Sequence, residues 1–355
     1  MKLNWAGNQQ GKIRVLVTGV GGNVGQGILK ALSACKLASW VVGTDCLPGA
    51  VGLFGVDRGY VVPKASDPSF PSRLVQIVCE EKIDIVLVGA DAETIHLSRH
   101  KEVIEAQTGA CVLVAPARAV ESAHDKWATA AWCLEKGISH PKTVLASNAE
   151  AVKRLAEEIG LPLIVKPRHG FASRDVVTAT QMSELFAAAA KLGEQGIVQE
   201  YIGDDHEEFT ATVLCDSAGH VRALLVMQRE LLQGTSYRVS PCLNEAYIAN
   251  VRSWGEAFGA QGPINFQFRL RQGHPVCFEI NARFSGTVGL RYHFGYNDVE
   301  MALRLFALKE EIVQPTIRSG SVLRFWEELF LPDTGMSELQ SLKRTEEGRI
   351  MPSEA

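Results

Sequence analysis

Between Asn265 and Arg283 the chain reads NFQFRLRQGHPVCFEINAR, two alternating segments around a Gln-Gly-His-Pro turn. That pattern predicts a β-hairpin. With the hairpin centred near Gly273, period-two geometry puts Asn265, Gln267 and Arg269 on one face and Phe266 and Phe268 on the other. Gln267 then stands opposite Glu279, and Asn265 opposite Asn281, so oxygen ligands converge. Phe266, Phe268, Phe278 and Ile280 are free to enter a core. One carboxylate with amide oxygens suits a hard cation that keeps several waters and binds nucleotide phosphates. The expected metal ligands are therefore Gln267, Glu279 and Asn281, holding Mg²⁺, with Mn²⁺ as an alternative ion. Arg283 follows two residues later, aimed at the same phosphates.

Two lysines could meet those phosphates from another side. Lys166 ends the apolar run LPLIV, so its stem should be buried and its ammonium needs an anion. Lys126 opens a helix after Asp125. Alone, each reads equally well as an ordinary lysine. Residues 168–176, with Gly170, Ala172 and Ser173 between two strands, have the composition of a loop whose amides can close over phosphate. A structural turn is the alternative. In GIVQEYIGDDHEEF, Glu200 opens a backbone stretch able to offer N–H and C=O to a purine edge, and Glu208 could accept bonds from ribose hydroxyls.

The elements that must position these groups alternate regularly at first. KIRVLVTGV, a glycine-rich turn, the helix NVGQGILKALSAC, the strand WVVGTDC, a helix near Ser72 to Glu81 and the strand DIVLVGA set a βαβ rhythm to about Ala115. That implies a parallel sheet with helices on both faces. ARAVESAHDKWATAAWCLEKGI is helical by period, and SNAEAVKRLAEEIG is a further helix, stopped by Gly160 and Pro162. LPLIVKPR and VVTAT are strands, with a helix from Ser183 to Gly193 after them. A strand-rich third region starts at GIVQEYI and ends with the helix DVEMALRLFAL. The domains are thus expected at 1–115, 116–195 and 196–335, with a polar tail over 336–355.

The 355 residues are 46% hydrophobic and 21% charged, with a formal charge of −4. Nothing there attracts nucleic acid or an anionic membrane. No apolar run reaches the roughly 20 residues of a membrane helix, and the amino terminus lacks a signal-peptide core, so a cytoplasmic location is expected. Eight scattered cysteines without a CxxC pair read as reduced packing residues. His96 and His100 have metal-ligand spacing but no third ligand nearby.

Gly19, Gly22 and Gly25 fit the GxxGxxG spacing of extended short-chain reductases, Asp45 ends the second strand, and Tyr60 and Lys64 spell YxxxK. Yet YVVPK is strand-like and lies too early for that family's catalytic helix. A nicotinamide-dependent reductase or epimerase is therefore the rival class, and a non-catalytic nucleotide-binding module a third.

As a set, HDKW, IVKPR, the HGFASRD loop, VQEYI with EEF, and NFQFR with FEINARFSG resemble the ATP-grasp superfamily over about residues 12 to 330. Glutamine at the first metal position is similar to the carbamoyl phosphate synthetase large-subunit branch. Arg174 and Asp175 depart from the family's usual Gly-Ser loop. The resemblance implies an α/β and α+β protein: a Rossmann-like pre-ATP-grasp domain with a parallel sheet, then a two-lobed ATP-grasp fold. It implies an ATP- and Mg-dependent carboxylate-amine ligase acting through an acylphosphate, with Arg283, Lys166 and Arg229 as catalytic residues. Lys126, Lys166, Gly170, Ser173, Gln199, Glu200, Tyr201, Ile202 and Glu208 would hold the nucleotide. Gly22, Ser236, Arg238, Ser285 and Arg291 are the expected substrate contacts, with His293 beside them. The implied partners are a small carboxylate and an amine; a homodimer is compatible, nucleic acid and membrane are not expected.

Overall fold

A computed structural model describes residues 13–35, 37–170, 175–203 and 207–330. Ser173, Arg174 and the expected tail from 336 lie outside them. The first region is β1 (Ile13–Thr18), α1 (Asn23–Ser33), β2 (Ala38–Asp45), β3 (Arg58–Val61), α2 (Phe70–Glu80), β4 (Ile85–Leu87), α3 (Asp91–Thr108) and β5 (Cys111–Leu113). Its strands form a parallel sheet in the order β3-β2-β1-β4-β5. Gly25 makes the β1–α1 crossing possible: a Cβ there would lie 2.2 Å from the Gly19 carbonyl oxygen.

The run after Ala117, helical by period, is two helices, the second opening at Lys126 after Asp125 as expected. These are α4 (Ala117–His124) and α5 (Lys126–Glu135). Asp125 breaks the run in an extended conformation, and its side chain accepts the Trp127 N–H at 2.9 Å. An aspartate N-cap contributes about 1 kcal/mol, enough to start a new helix where period alone suggested continuation.

Next come β6 (Thr143–Leu145), α6 (Ala149–Ile159), β7 (Leu163–Pro167), β8 (Val177–Ala179), α7 (Met182–Leu192) and β9 (Gly196–Glu200). They make a four-stranded antiparallel sheet ordered β6-β9-β7-β8. β9 therefore pairs with the middle region rather than opening the third. Leu163, Val165, Ala179 and Val198 face a small core under α6 and α7, while Ile164, Lys166, Thr178 and Gln199 face the other way.

The third region holds β10 (Glu208–Cys215), β11 (Val221–Leu232), β12 (Thr235–Pro241), α8 (Glu245–Phe258), β13 (Gly262–Arg271), β14 (His274–Asn281), α9 (Val288–Arg291), α10 (Asp298–Ala302) and β15 (Val322–Leu323). Its sheet runs β14-β13-β10-β11-β12-β15. Helix α8, unforeseen among the strands, starts on an Asn244 side chain that accepts the Ala246 and Tyr247 N–H groups. It covers the aromatic face of the sheet, where Trp254 packs on Phe266 and Phe268. Buried side chains form three clusters. Two each combine residues of the first region with residues of the six-stranded sheet, and the third is confined to residues between Ala146 and Val198.

Candidate active site

The β13–β14 hairpin forms in the expected register. Gln267 pairs with Glu279 and Asn265 with Asn281, and the turn residues Gln272 and Gly273 both take positive φ, 52° and 79°. A bulge follows at Gln267/Phe268, so Phe268 pairs with Cys277 and Phe278 is the extra residue. Cys277 takes the core place, and Phe278 joins Glu279 on the open face instead of entering the core as the alternation suggested.

That face and the free face of the four-stranded sheet enclose a cleft of about 680 Å³. From the four-stranded side come Lys166, Gln199 and the Glu200–Ile202 backbone, with Lys126 and Gly170 at the mouth. From the six-stranded side come Glu208, Arg229, Gln267, Arg269, Phe278 and Glu279. Eleven of the expected site residues thus line one cavity: Lys126, Lys166, Gly170, Gln199, Glu200, Tyr201, Ile202, Glu208, Arg229, Gln267 and Glu279.

Lys166 is 8% exposed, and among the described residues no carboxylate reaches its ammonium. Burial lowers its pKa from 10.5 to about 8, a shift that the nearby Glu279 carboxylate opposes. Its Nζ sits 5.7 Å from the centre of the Phe278 ring, the residue the bulge delivers. Lys126 donates to the Gly170 carbonyl at 3.0 Å, and the Asp125–Arg168 ion pair ties the start of α5 to the end of β7. Beside them the His124 and His169 rings stack at 5.3 Å, and burial disfavours the His124 imidazolium.

Glu208 differs from its expected ribose role. One oxygen accepts from Arg229 at 2.9 and 2.5 Å and the other from Arg269 at 3.1 and 2.7 Å. The carboxylate brackets two guanidiniums, and Arg229 passes on to Gln267 Oε1 at 2.7 Å. Glu200 likewise accepts from Arg271 at 2.6 Å and from the Lys142 N–H at 3.0 Å.

Gln267 Nε2 and Asn281 Nδ2 both point to Glu279 Oε1, at 3.4 and 3.0 Å. Their oxygens are held from the other side, Gln267 Oε1 by Arg229 at 2.7 Å and Asn281 Oδ1 by Arg283 at 3.1 Å, so each amide would have to exchange that bond to offer oxygen to an ion. Among the described residues no three His, Cys, Asp or Glu side chains cluster as a protein-only cage. One carboxylate with two amides fits an ion that arrives with phosphates. Arg283 is not aimed into the cleft. It pairs with Asp91 at the start of α3 and donates to Asn281 Oδ1 at 3.1 Å.

The expected substrate contacts divide. Gly22 caps α1 on an exposed turn, where Gly21 N–H donates to Asp45 Oδ2 at 2.8 Å. A Cβ on Gly286 would meet Asn23 Nδ2 at 2.7 Å, so this turn faces the chain just past the hairpin. Arg291 is corrected: it is fully buried, its Nη2 lying 2.7 Å from Asp298 Oδ2. Ser285 is buried too and accepts from Arg291 at 3.1 Å. Arg238 pairs with Glu230 on the exposed side, and Ser236 is buried; Leu231 and Gly234 of that hairpin reach the cleft instead. Tyr60 is 2% exposed with its hydroxyl on Glu81 at 2.5 Å, which removes YxxxK as a catalytic pair.

Sequence reasoning missed Arg269, Phe278 and Arg168. For Arg269 the signal was present, since it shares the alternating face with Gln267.

Three family descriptions match successive parts of the chain: "PylC-like, N-terminal domain" over residues 15–112, "RimK-like ATP-grasp domain" over 123–226 and "ATP-grasp in the biosynthetic pathway with Ter operon" over 193–328. The chain is an ATP-grasp protein. Within that class it resembles the carbamoyl phosphate synthetase large-subunit branch. It is 26% identical over 301 residues to a carbamoyl phosphate synthase large chain of Deinococcus deserti, spanning 78% of this chain and 28% of that one. A carbamoyl-phosphate synthase of Methanobrevibacter smithii is 23% identical over 258 residues, 69% of this chain and 68% of that one. The fold is shared with N5-carboxyaminoimidazole synthetase from Staphylococcus aureus complexed with ADP, at a TM-score of 0.69, 14% identity and 89% and 82% coverage. It is shared as well with the L-amino acid ligase from Bacillus licheniformis, at 0.62, 19%, 84% and 75%.

Proposed function

We propose that the chain is an ATP- and Mg-dependent ligase that activates a small-molecule carboxylate as an acylphosphate for attack by an amine. The observation that carries this is a buried lysine without a carboxylate partner among the described residues, held over Phe278 beside Glu279 in a cleft of nucleotide size. A polyphosphate supplies the missing anion. The relatives support the reading, one being a synthetase solved with ADP and another an L-amino acid ligase.

In the first step a carboxylate oxygen attacks the terminal phosphorus, the bond to ADP breaks, and the electron pair leaves on ADP. The amine then attacks the acyl carbon, gives up a proton, and phosphate departs. Lys126 and Lys166 neutralise the phosphates, Gln199 and the Glu200–Ile202 backbone seat the base, and Arg229, fixed by Glu208, completes the charge around the transferring group. Gln267, Glu279 and Asn281 would hold Mg²⁺ (or Mn²⁺), which would supply Lewis-acid charge compensation. Ser173 belongs to this proposal as a phosphate ligand, and Gly22 as an acceptor-side contact.

The working division is a pre-ATP-grasp domain to residue 115, a small lobe from 116, and a large lobe to 335 beginning after β9. A cytoplasmic location and a homodimer belong to the same proposal. The test is ADP release over a matrix of carboxylates and amines. Tight nicotinamide-nucleotide binding without ATP binding would overturn it in favour of the reductase class.

A further inference from the structure

Arg291 and Asp298 are the most enclosed ion pair among the described residues, with side chains 0% and 1% exposed and a 2.7 Å approach. Burying two charges is expensive, and such a pair is commonly replaced by apolar side chains without loss of stability. The geometry supplies another reason for it. Arg291 Nη1 donates to Ser285 Oγ at 3.1 Å and reaches Thr287 Oγ1 at 3.5 Å, and these two hydroxyls lie 3.0 Å apart. One guanidinium thus grips the 285–287 turn from inside.

The outer side of that turn meets the glycine turn of the first domain. The Gly286 carbonyl accepts from Arg324 at 2.6 Å, and the same guanidinium bonds Asn23 at the start of α1. Immediately beyond, α9 lies on α1 glycine to glycine: a Cβ on Gly289 would sit 2.8 Å from the Gly27 Cα. The turn also continues directly from Glu279, Asn281 and Arg283 of the hairpin. It joins the expected metal ligands to the expected acceptor side.

We infer that Arg291 and Asp298 are positioning residues that hold the 285–287 turn between the metal hairpin and the Gly21–Asn23 turn, fixing the acceptor relative to the nucleotide. This rests on the ligase reading above for its chemical consequence, but not for its structural one. Neither side chain touches substrate; the pair acts through Ser285 and Thr287.

The test is the double variant Arg291→Met/Asp298→Val, which removes both charges together. Its melting temperature should stay within about 5 °C of wild type. Its Mg-ATP dissociation constant, by calorimetry, should stay within about twofold, because the uniform binding contacts are untouched. Amide exchange of residues 284–289 should nevertheless accelerate at least roughly tenfold. ADP release should fall roughly 100-fold, the penalty for a misplaced reacting group. The probes are bicarbonate and the free amino acids as carboxylates, with hydroxylamine as nucleophile. Wild-type exchange and wild-type turnover in the double variant would overturn the inference.

If the double variant does not fold, Ser285→Ala/Thr287→Val decides the matter, since it removes the two hydroxyls the guanidinium grips while leaving the ion pair. It should show the same split between intact Mg-ATP binding and lost turnover; normal turnover would overturn the inference. Wild-type protein that releases no ADP with any probe would instead be a failure of the ligase reading. The exchange measurement then decides the positioning role by itself.

Discussion

Gln267 and Glu279 stand opposite one another on the β13–β14 ladder, and the bulge beside them turns Phe278 to the same open face. The pairing joins an amide and a carboxylate, and the bulge gives the neighbouring ammonium of Lys166 an aromatic floor. The proposed ion and nucleotide contacts and the place of the Lys166 ammonium are therefore tied to one local irregularity.

Glu279→Gln should leave the melting temperature nearly unchanged, because both neighbouring amides can rearrange around a third. ADP release should fall at least roughly 100-fold, since the proposed metal site loses the one carboxylate expected in it. Steady-state assays across a magnesium titration check this. Undiminished activity with the same magnesium dependence would make the hairpin purely structural.

Lys166→Met should weaken Mg-ATP binding while keeping or raising stability at pH 7. Its folded pKa is lowered from 10.5 to about 8. The charged form therefore costs the folded state about 3 kcal/mol at pH 7. That cost is fully present below pH 8 and fades as pH rises toward 10.5, so wild-type stability should gain over this window and the variant should not. Urea melts at pH 7 and pH 10 compare them.

The same lysine predicts proton uptake. Phosphate beside the ammonium restores its charge, so above pH 8 binding of Mg-ATP should take up a proton. Affinity should then fall by up to about tenfold per pH unit. Calorimetry in buffers of different ionisation enthalpy measures the protons directly, and a proton-neutral binding event at pH 9 would contradict it.

Glu208→Gln should destabilise the protein by about 3 kcal/mol, because it leaves Arg229 and Arg269 buried against a neutral amide. Both guanidiniums are less than one-fifth exposed. Denaturant titration gives the value. A loss confined to nucleotide affinity, with stability untouched, would restore Glu208 to the ribose.

Much of the site could be read from the chain because it rests on period two. In β13 and β14 alternation decides which side chains share a face, and Gln267 and Glu279 obey it, as Lys166 does on β7. Phe278 was misplaced because a bulge is a property of the pairing, not of either strand's residues. Arg291 was misplaced because residue type says nothing of enclosure: Asp298, its partner, comes from the next helix, and only the fold brings them together. The start of α5 at Lys126 was legible because Asp125 before it is a good cap. Strand β9 was read with the wrong region because its partners β6 and β7 lie upstream, a non-local pairing that local pattern cannot reveal.

The three buried clusters divide the molecule differently from its sequence regions. Two of them interleave the first region with the six-stranded sheet, whereas the cluster between Ala146 and Val198 is self-contained. Heating should consequently resolve two cooperative units, the smaller one melting without dragging the larger along. A nucleotide that bridges the cleft contacts both, and its binding energy links their unfolding. Calorimetric scans with saturating Mg-ATP should merge the two transitions into one, the nucleotide coupling two units whose hydrophobic clusters are separate.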